Sequence, residues 1–236
     1  MYTNTVLRAL ALDVVERLRL RPVRFQVGHE IEFPGKPIER LYFIETGMAS
    51  MTTTFKDGIQ VEVGMFGYES IIGVSALMGA KSGLNRVYTQ IAGTGFVAPL
   101  EVARVEFARG EVFQMLALRY VQSQLAQAMQ SAGCNARHSF EQRLARWLLI
   151  CADRARTDTF QLTQEYLTDM LGATRSTVSI AESALKAAGL IDYVRGTLRI
   201  LDASTLEGRA CECYRVIKDH LDNHAEFDHG VALPGS

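Results

Sequence analysis

The chain reads as an α+β protein: an N-terminal antiparallel β-barrel of jelly-roll type, a long helix, and a C-terminal winged helix-turn-helix. Three observations predict this. Residues 21–99 alternate short runs of β-formers with Gly and Pro, residues 111–132 carry a sustained helical stripe, and residues 162–201 space their apolar side chains as two short helices followed by a hairpin. The expected division is 1–110 for the barrel, 111–135 for the helix, 136–224 for the helix-turn-helix domain and 225–236 for a polar, disordered tail.

In the first region Arg24 to Val27 leads to Gly28, Glu30 to Phe33 leads to Pro34-Gly35, and Leu41 to Ile44 leads to Gly47. Met51–Phe55 and Ile59–Val63 flank Lys56-Asp57-Gly58, in which Asp-Gly is a hairpin signal. Arg86–Ile91 and Gly95–Ala98 complete the expected strands.

In the helix, Leu118, Val121, Leu125, Ala128 and Ala132 recur in steps of three and four, the spacing of a coiled-coil seam. A monomer helix packed on its own barrel needs such a stripe too, but Phe113, Leu116 and Tyr120 supply a second apolar face for that. The stripe is therefore assigned to a homodimer interface. A break is expected near Gly133-Cys134-Asn135, before a further helix from Ser139 to Arg156 that turns Phe140, Leu144, Trp147, Leu148 and Cys151 inward.

Thr163 suits the N-cap of the next helix, with Leu167, Met170 and Leu171 inward; Gly172-Ala173 makes the turn and Thr174 caps the second helix. Val178, Ala181, Leu185 and Ala188 bury one face of that helix. Arg175, Ser176, Thr177, Ser179 and Ile180 stand on or near the other, where a major groove would meet a recognition helix. Ile191–Ile200 alternates across Arg195-Gly196 as a wing. Double-stranded DNA is the implied partner.

With 25 Lys+Arg against 26 Asp+Glu the net charge is -1, so DNA affinity must come from local charge, which the run Arg137, Arg143, Arg146, Arg154, Arg156, Arg175, Lys186, Arg195 and Arg199 is expected to supply, although a solvated helix face would explain half of it. At 236 residues and 48% hydrophobic the chain can bury a full core. No apolar run is long enough to span a bilayer and no signal-peptide cleavage site follows the first residues, so the expected location is cytoplasmic, without membrane partner. The four cysteines, Cys134, Cys151, Cys211 and Cys213, contain no C-x-x-C and read as reduced thiols. Glu69 and Glu101 are isolated, no Ser/His/Asp arrangement has support, and no Gly-rich loop opens a helix; an enzyme is not expected.

The order barrel, helix, helix-turn-helix and wing resembles the Crp/Fnr family of bacterial transcription regulators over nearly the whole chain. The supporting residues are Gly28-x-x-Ile31 with Phe33 and Gly35, Leu41-Tyr42-Phe43-Ile44-x-x-Gly47, Arg143 to Leu148, Thr163-Gln164, Gly172-x-x-Arg175-x-x-Val178 and Leu185-x-x-x-Gly189-Leu190-Ile191. The resemblance implies that the barrel is of the cyclic-nucleotide-binding type and that Thr163 and Gln164 hold backbone phosphates. It implies that positions 175, 176, 179 and 180 face the groove. Arg175 is kept, whereas Ser176, Ser179 and Ile180 depart from the best-known members, so the target sequence should differ too.

The same resemblance places a degenerate effector pocket at Gly73-Val74 and Arg86-Val87. Cyclic-nucleotide-binding members carry Gly-Glu and Arg-Ser or Arg-Thr there; the glutamate and the hydroxyl are absent here, and only Arg86 remains to meet an anion. The expectation is a dimeric regulator that acts on a palindromic site without cyclic nucleotide, the alternative being a regulator gated by a cyclic nucleotide or another small effector in the barrel. RNA polymerase is a further partner that the family resemblance admits. An iron-sulfur cluster lacks N-terminal cysteines, and His29 beside Gly28 reads as a solvated turn residue rather than a haem ligand. Cys211 and Cys213 with His220 and His224 match no finger spacing, so no metal and no cofactor are expected.

Overall fold

The computed structural model describes residues 1–225; beyond its first residue, the tail expected at 225–236 lies outside the described residues. Two short helices, α1 (Thr5–Ala9) and α2 (Leu12–Arg17), open the chain, and the Asn4 side chain caps α1 by accepting from the Val6 and Leu7 amides. Six strands follow: β1 (Arg21–Phe25), β2 (Glu30–Glu32), β3 (Arg40–Thr54), β4 (Gln60–Phe66), β5 (Ile71–Ile72) and β6 (Arg86–Pro99), with a 3-10 turn at Val74–Met78. They pair antiparallel in the order β1-β6-β3-β4, with β2 on β6 and β5 on β3. The sheet rolls around its core in jelly-roll fashion but its strand path does not close.

Two pairs of expected strands merge. β3 runs straight through Gly47, and β6 runs through Gly93 and Gly95, because these glycines serve close backbone approach rather than chain reversal. A Cβ at Gly93 would lie 1.8 Å from the Thr46 carbonyl oxygen, and one at Gly95 would lie 2.2 Å from that of Phe43. The register between β3 and β6 slips in this stretch, the signature of bulges that bend a long strand pair around a core. Leu41, Phe43, Ile44, Ile71, Phe113 and Ala117 are fully buried there.

After α3 (Leu100–Phe107) the long helix α4 covers Val112–Arg137 without interruption. The break expected near Gly133-Cys134-Asn135 does not occur: an isolated glycine costs a helix only about 1 kcal/mol against alanine, which tertiary packing overrides. α4 ends instead at His138, whose backbone is extended, and α5 (Phe140–Ala155) starts behind the Ser139–Gln142 capping box. Then come β7 (Thr159–Gln161), α6 (Gln164–Leu171), α7 (Arg175–Ala187), β8 (Ile191–Val194) and β9 (Thr197–Ile200), with β9 central in a small sheet of order β7-β9-β8. Two helices not anticipated from the sequence, α8 (Ala203–Arg209) and α9 (Cys213–Ala225), return the chain to α4, along which α9 packs.

A second core, built on Leu144, Trp147, Leu148, Phe160, Leu167, Val178, Leu185 and Leu198, holds the helix-turn-helix together and reaches into the sheet through Met48 and Met65. Among the described residues no helix is long and apolar enough to cross a membrane.

Candidate nucleic-acid interface

The helix-turn-helix forms with its caps as the sequence dictates. The Thr163 hydroxyl accepts from the Tyr166 amide at 3.1 Å, and Thr174 accepts from that of Thr177 at 3.3 Å. Gly172 takes the left-handed conformation (φ 58°) that ends α6 and lets α7 start at a new angle. Val178 and Leu185 are wholly buried and Ala181 nearly so, which fixes the rotation of α7. Arg175, Ser176, Ser179 and Ile180 therefore stand exposed on one face, Ile180 at 72% of its full area, with Thr177 half-buried behind the cap.

The basic residues around this face are held by carboxylates. Arg175 pairs with Glu165 on α6, Lys186 with Asp192 on β8 at 2.8 Å, and Arg199 with Asp158 at 3.5 Å. The hydrogen bond from Lys186 holds the Asp192 carboxyl below its usual range. All three are exposed pairs that solvent screens, so an arriving phosphate or base edge can displace the carboxylate at little cost. Arg195 sits at the wing turn with positive φ (51°) and is exposed. Gln164, expected to hold a phosphate, donates its side-chain amide to Oε2 of the buried Glu182 on α7 at 2.7 Å. Burial raises the Glu182 carboxyl while that bond lowers it, so Gln164 braces α6 against α7.

The positions expected to form an effector pocket lie around β2: Glu32 pairs with Val87, and its carboxylate accepts from the Gly73 amide. Arg86 donates to Glu30 at 2.9 Å and to Gln60 at 3.2 Å and lies over the Tyr88 ring, while Val87 is buried in the sheet core. Gly73, at φ 90°, opens the 3-10 turn that Val74 begins, with its Cβ position only 2.6 Å from the Arg40 carbonyl.

Sequence reasoning missed the contacts that join the sheet to the helix-turn-helix. Glu62 on β4 accepts from Ser50 at 2.6 Å and from the Trp147 indole at 2.8 Å, and Tyr166 of α6 reaches Ser50 at 3.3 Å. Burial is the largest influence on the Glu62 carboxyl and pushes it up to about 7, against the lowering effect of these donors and of Arg154 and Arg146. Arg154, buried on α5, donates to the Met65 carbonyl at 2.9 Å and to Gln127 of α4 at 2.6 Å, and faces Glu69 at 3.0 Å. No local pattern announces such residues; an arginine inside the apolar face of a predicted helix is the single hint.

On α4 the outward stripe is as spaced: Leu118 and Leu125 are 46% and 58% exposed, Ala128 and Ala132 are exposed and Val121 is half-buried. Phe113, Leu116 and Tyr120 point into the barrel core.

Known proteins place this architecture. Residues 142–209 match the Crp-like helix-turn-helix domain. The chain is 30% identical over 167 residues to the global nitrogen regulator of Nostoc sp., covering 66% of this chain and 74% of that protein, and 27% identical to that of Synechococcus elongatus, covering 74% and 83%. Among solved structures, FixK2 from Bradyrhizobium japonicum superposes with a TM-score of 0.66 at 18% identity, over 81% of this chain and 98% of that one. A CRP-family transcriptional regulator from Thermus thermophilus does so with 0.65 at 20%, over 81% and 99%. These two show the same fold; together with the matched domain and the relatives in sequence, they establish that the chain belongs to the Crp/Fnr family of DNA-binding transcription regulators.

Proposed function

We propose that this regulator acts as a homodimer on a palindromic DNA site, that Arg175 reads one base of each half-site, and that cyclic nucleotides play no part. The single observation that carries the proposal is the exposed face of α7, where Arg175 stands at the first turn among side chains too short to replace it. An arginine there can pair with guanine O6 and N7, Ile180 can meet a thymine methyl, and Thr163, Lys186, Arg195 and Arg199 lie around the face to take phosphates. Residues 1–110 would then be the sensor-like domain, the helix from 111 the dimerisation element and 136–224 the DNA-binding domain.

The stripe of exposed Leu118, Leu125, Ala128 and Ala132 with half-buried Val121 supports the dimer, since a second copy would cover an apolar face that its own barrel leaves open. Independence from cyclic nucleotides is supported by Arg86, whose charge is already met by Glu30, and by Val74 and Val87, which offer no group to a ribose or a cyclic phosphate.

A randomised-site selection on wild type and Arg175→Ala tests the reading. Arg175→Ala should cost about 1 to 3 kcal/mol per half-site and relax one base position. Identical selected sequences with unchanged affinity would sink it. Light scattering should report a dimer that Leu125→Glu converts to monomer, and calorimetry with cyclic AMP and cyclic GMP should show no heat that depends on Arg86.

A further inference from the structure

Three cysteines and a histidine that lie far apart in sequence meet where the helix-turn-helix domain is hinged to α4. Cys134 and His138 occupy the last turn of α4 and its end, four residues apart on one face, while Cys211 and Cys213 lie at the junction of α8 and α9. The four donor atoms all fall within 4.8 Å of one another. Cys134 Sγ is 3.5 Å from Cys211 Sγ, and Cys213 Sγ is 3.6 Å from His138 Nδ1. A tetrahedral zinc ion with bonds of about 2.3 Å to sulfur and about 2.0 Å to nitrogen requires donor separations of roughly 3.5 to 3.8 Å, so small side-chain adjustments suffice. A cluster of several metal atoms would hold its outer thiolates farther apart.

The surroundings also fit. Thiols 1–3% exposed exclude water from the coordination shell. The other ring nitrogen of His138, Nε2, lies 3.2 Å from Glu212 Oε2, the carboxylate–histidine arrangement that fixes the tautomer with Nδ1 free to bind metal. Gln130 donates its amide to Cys213 at 3.0 Å, and Cys213 is the first residue of a 13-residue helix, where partial positive charge favours a thiolate. Arg146, 6% exposed, acts on Cys134 with its charge, and its Nε finds no hydrogen-bond acceptor among the described residues.

The geometry points to a mononuclear, tetrahedral zinc site formed by Cys134, His138, Cys211 and Cys213. Binding of Zn2+ releases three thiol protons to solvent and leaves His138 neutral, giving a complex of charge minus one beside the Arg146 guanidinium. No electron moves. Cys211 and Cys213 were visible in the sequence as soft donors; the structure sets Cys134 and His138 beside them. The ion would tie the end of α4 to the segment that follows the wing, and so fix how the helix-turn-helix is carried on the long helix.

The test uses the full chain purified without chelator from zinc-supplemented medium. Elemental analysis should find one zinc per chain, and replacement by Co2+ should give the intense visible bands of tetrahedral cobalt with thiolate charge-transfer absorption. Cys211→Ser and His138→Gln should lose both signals, Cys151→Ala should keep them, and Glu212→Gln should weaken zinc binding about 10–100-fold. Should Cys211→Ser fail to fold, His138→Gln and Glu212→Gln still decide the matter. Metal-free protein with four freely titrating thiols and an octahedral cobalt spectrum would overturn the site. So would iron with acid-labile sulfide, or a Cys134–Cys211 disulfide in the isolated protein.

Discussion

The jelly-roll sheet and the helix-turn-helix use glycine in opposite ways, and the contrast explains why one region is easier to read than the other. In the helix-turn-helix the glycine at 172 closes α6 in a left-handed turn, a local event that the flanking apolar periodicity already announces. In the sheet, Gly93 and Gly95 mark places where β6 passes against the carbonyls of β3, more than forty residues away in sequence. The residue type is the same. What differs is whether its reason is a neighbour in sequence or a neighbour in space.

The sharpest break of this comparison is Gly93→Ala. With the Cβ position 1.8 Å from a backbone oxygen that no rotamer change can remove, the substitution should cost about 3 kcal/mol or more, the upper end for overpacking. Calorimetry should show the unfolding midpoint lowered by roughly 6 °C or more. A midpoint within a degree of wild type would mean that β3 and β6 do not cross as described.

The same contrast governs what was legible. Caps, turn, wing and inward faces from Leu162 to Ile200 follow from residues one helical turn apart, and the structure has them at those positions except at Ala188, which caps the C-terminus of α7 and is exposed rather than buried. The exposed positions Arg175, Ser176, Ser179 and Ile180 could be named for that reason. The strands of the sheet were visible as runs, but their fusion into β3 and β6 was not, because a bulge looks like a turn until its partner strand is known. Gln164 shows the same limit at a candidate site residue: its motif position was legible, its bond to Glu182 eighteen residues on was not. The Cys134–His138–Cys211–Cys213 group and the Glu62–Trp147 contact lay beyond reach, each being assembled from separate elements.

That last contact, which couples sheet to helix-turn-helix, should make the pairing of the two regions sensitive to pH. Glu62 has a carboxyl raised to about 7 in the fold, against 4.5 as a free side chain, so the folded chain holds a proton in that window which the unfolded chain releases. Its contribution is therefore fully present below the unfolded value and is lost as pH rises through 7. Allowing for its partial contact with solvent, the loss is on the order of 1–2 kcal/mol. Glu62→Gln, which keeps an amide in place of the protonated acid, should remove this slope: from about pH 5 to about pH 8 the wild type should lose stability relative to the variant. Parallel curves for the two proteins would show that Glu62 titrates normally.

The smallest expected effect falls on a glycine whose surroundings are the reverse of Gly93. Gly133 lies inside α4, is exposed, and has nothing within 4 Å of the position that a Cβ would take. If α4 is continuous there, Gly133→Ala removes backbone freedom from the unfolded chain and improves helix propensity without a clash, which should stabilise the protein by about 0.5–1 kcal/mol. If instead the chain broke near Gly133-Cys134-Asn135, as the local sequence suggests, the glycine would serve a turn and alanine would be neutral or harmful. Urea unfolding resolves a change of this size when the slope of the transition is unaltered, and the sign alone decides. A raised midpoint supports one helix from Val112 to Arg137 that carries the apolar stripe, Cys134 and the approach to His138 as a single rod. A lowered midpoint would return the hinge to residue 133 and detach Cys134 from the helix that holds it beside Cys211.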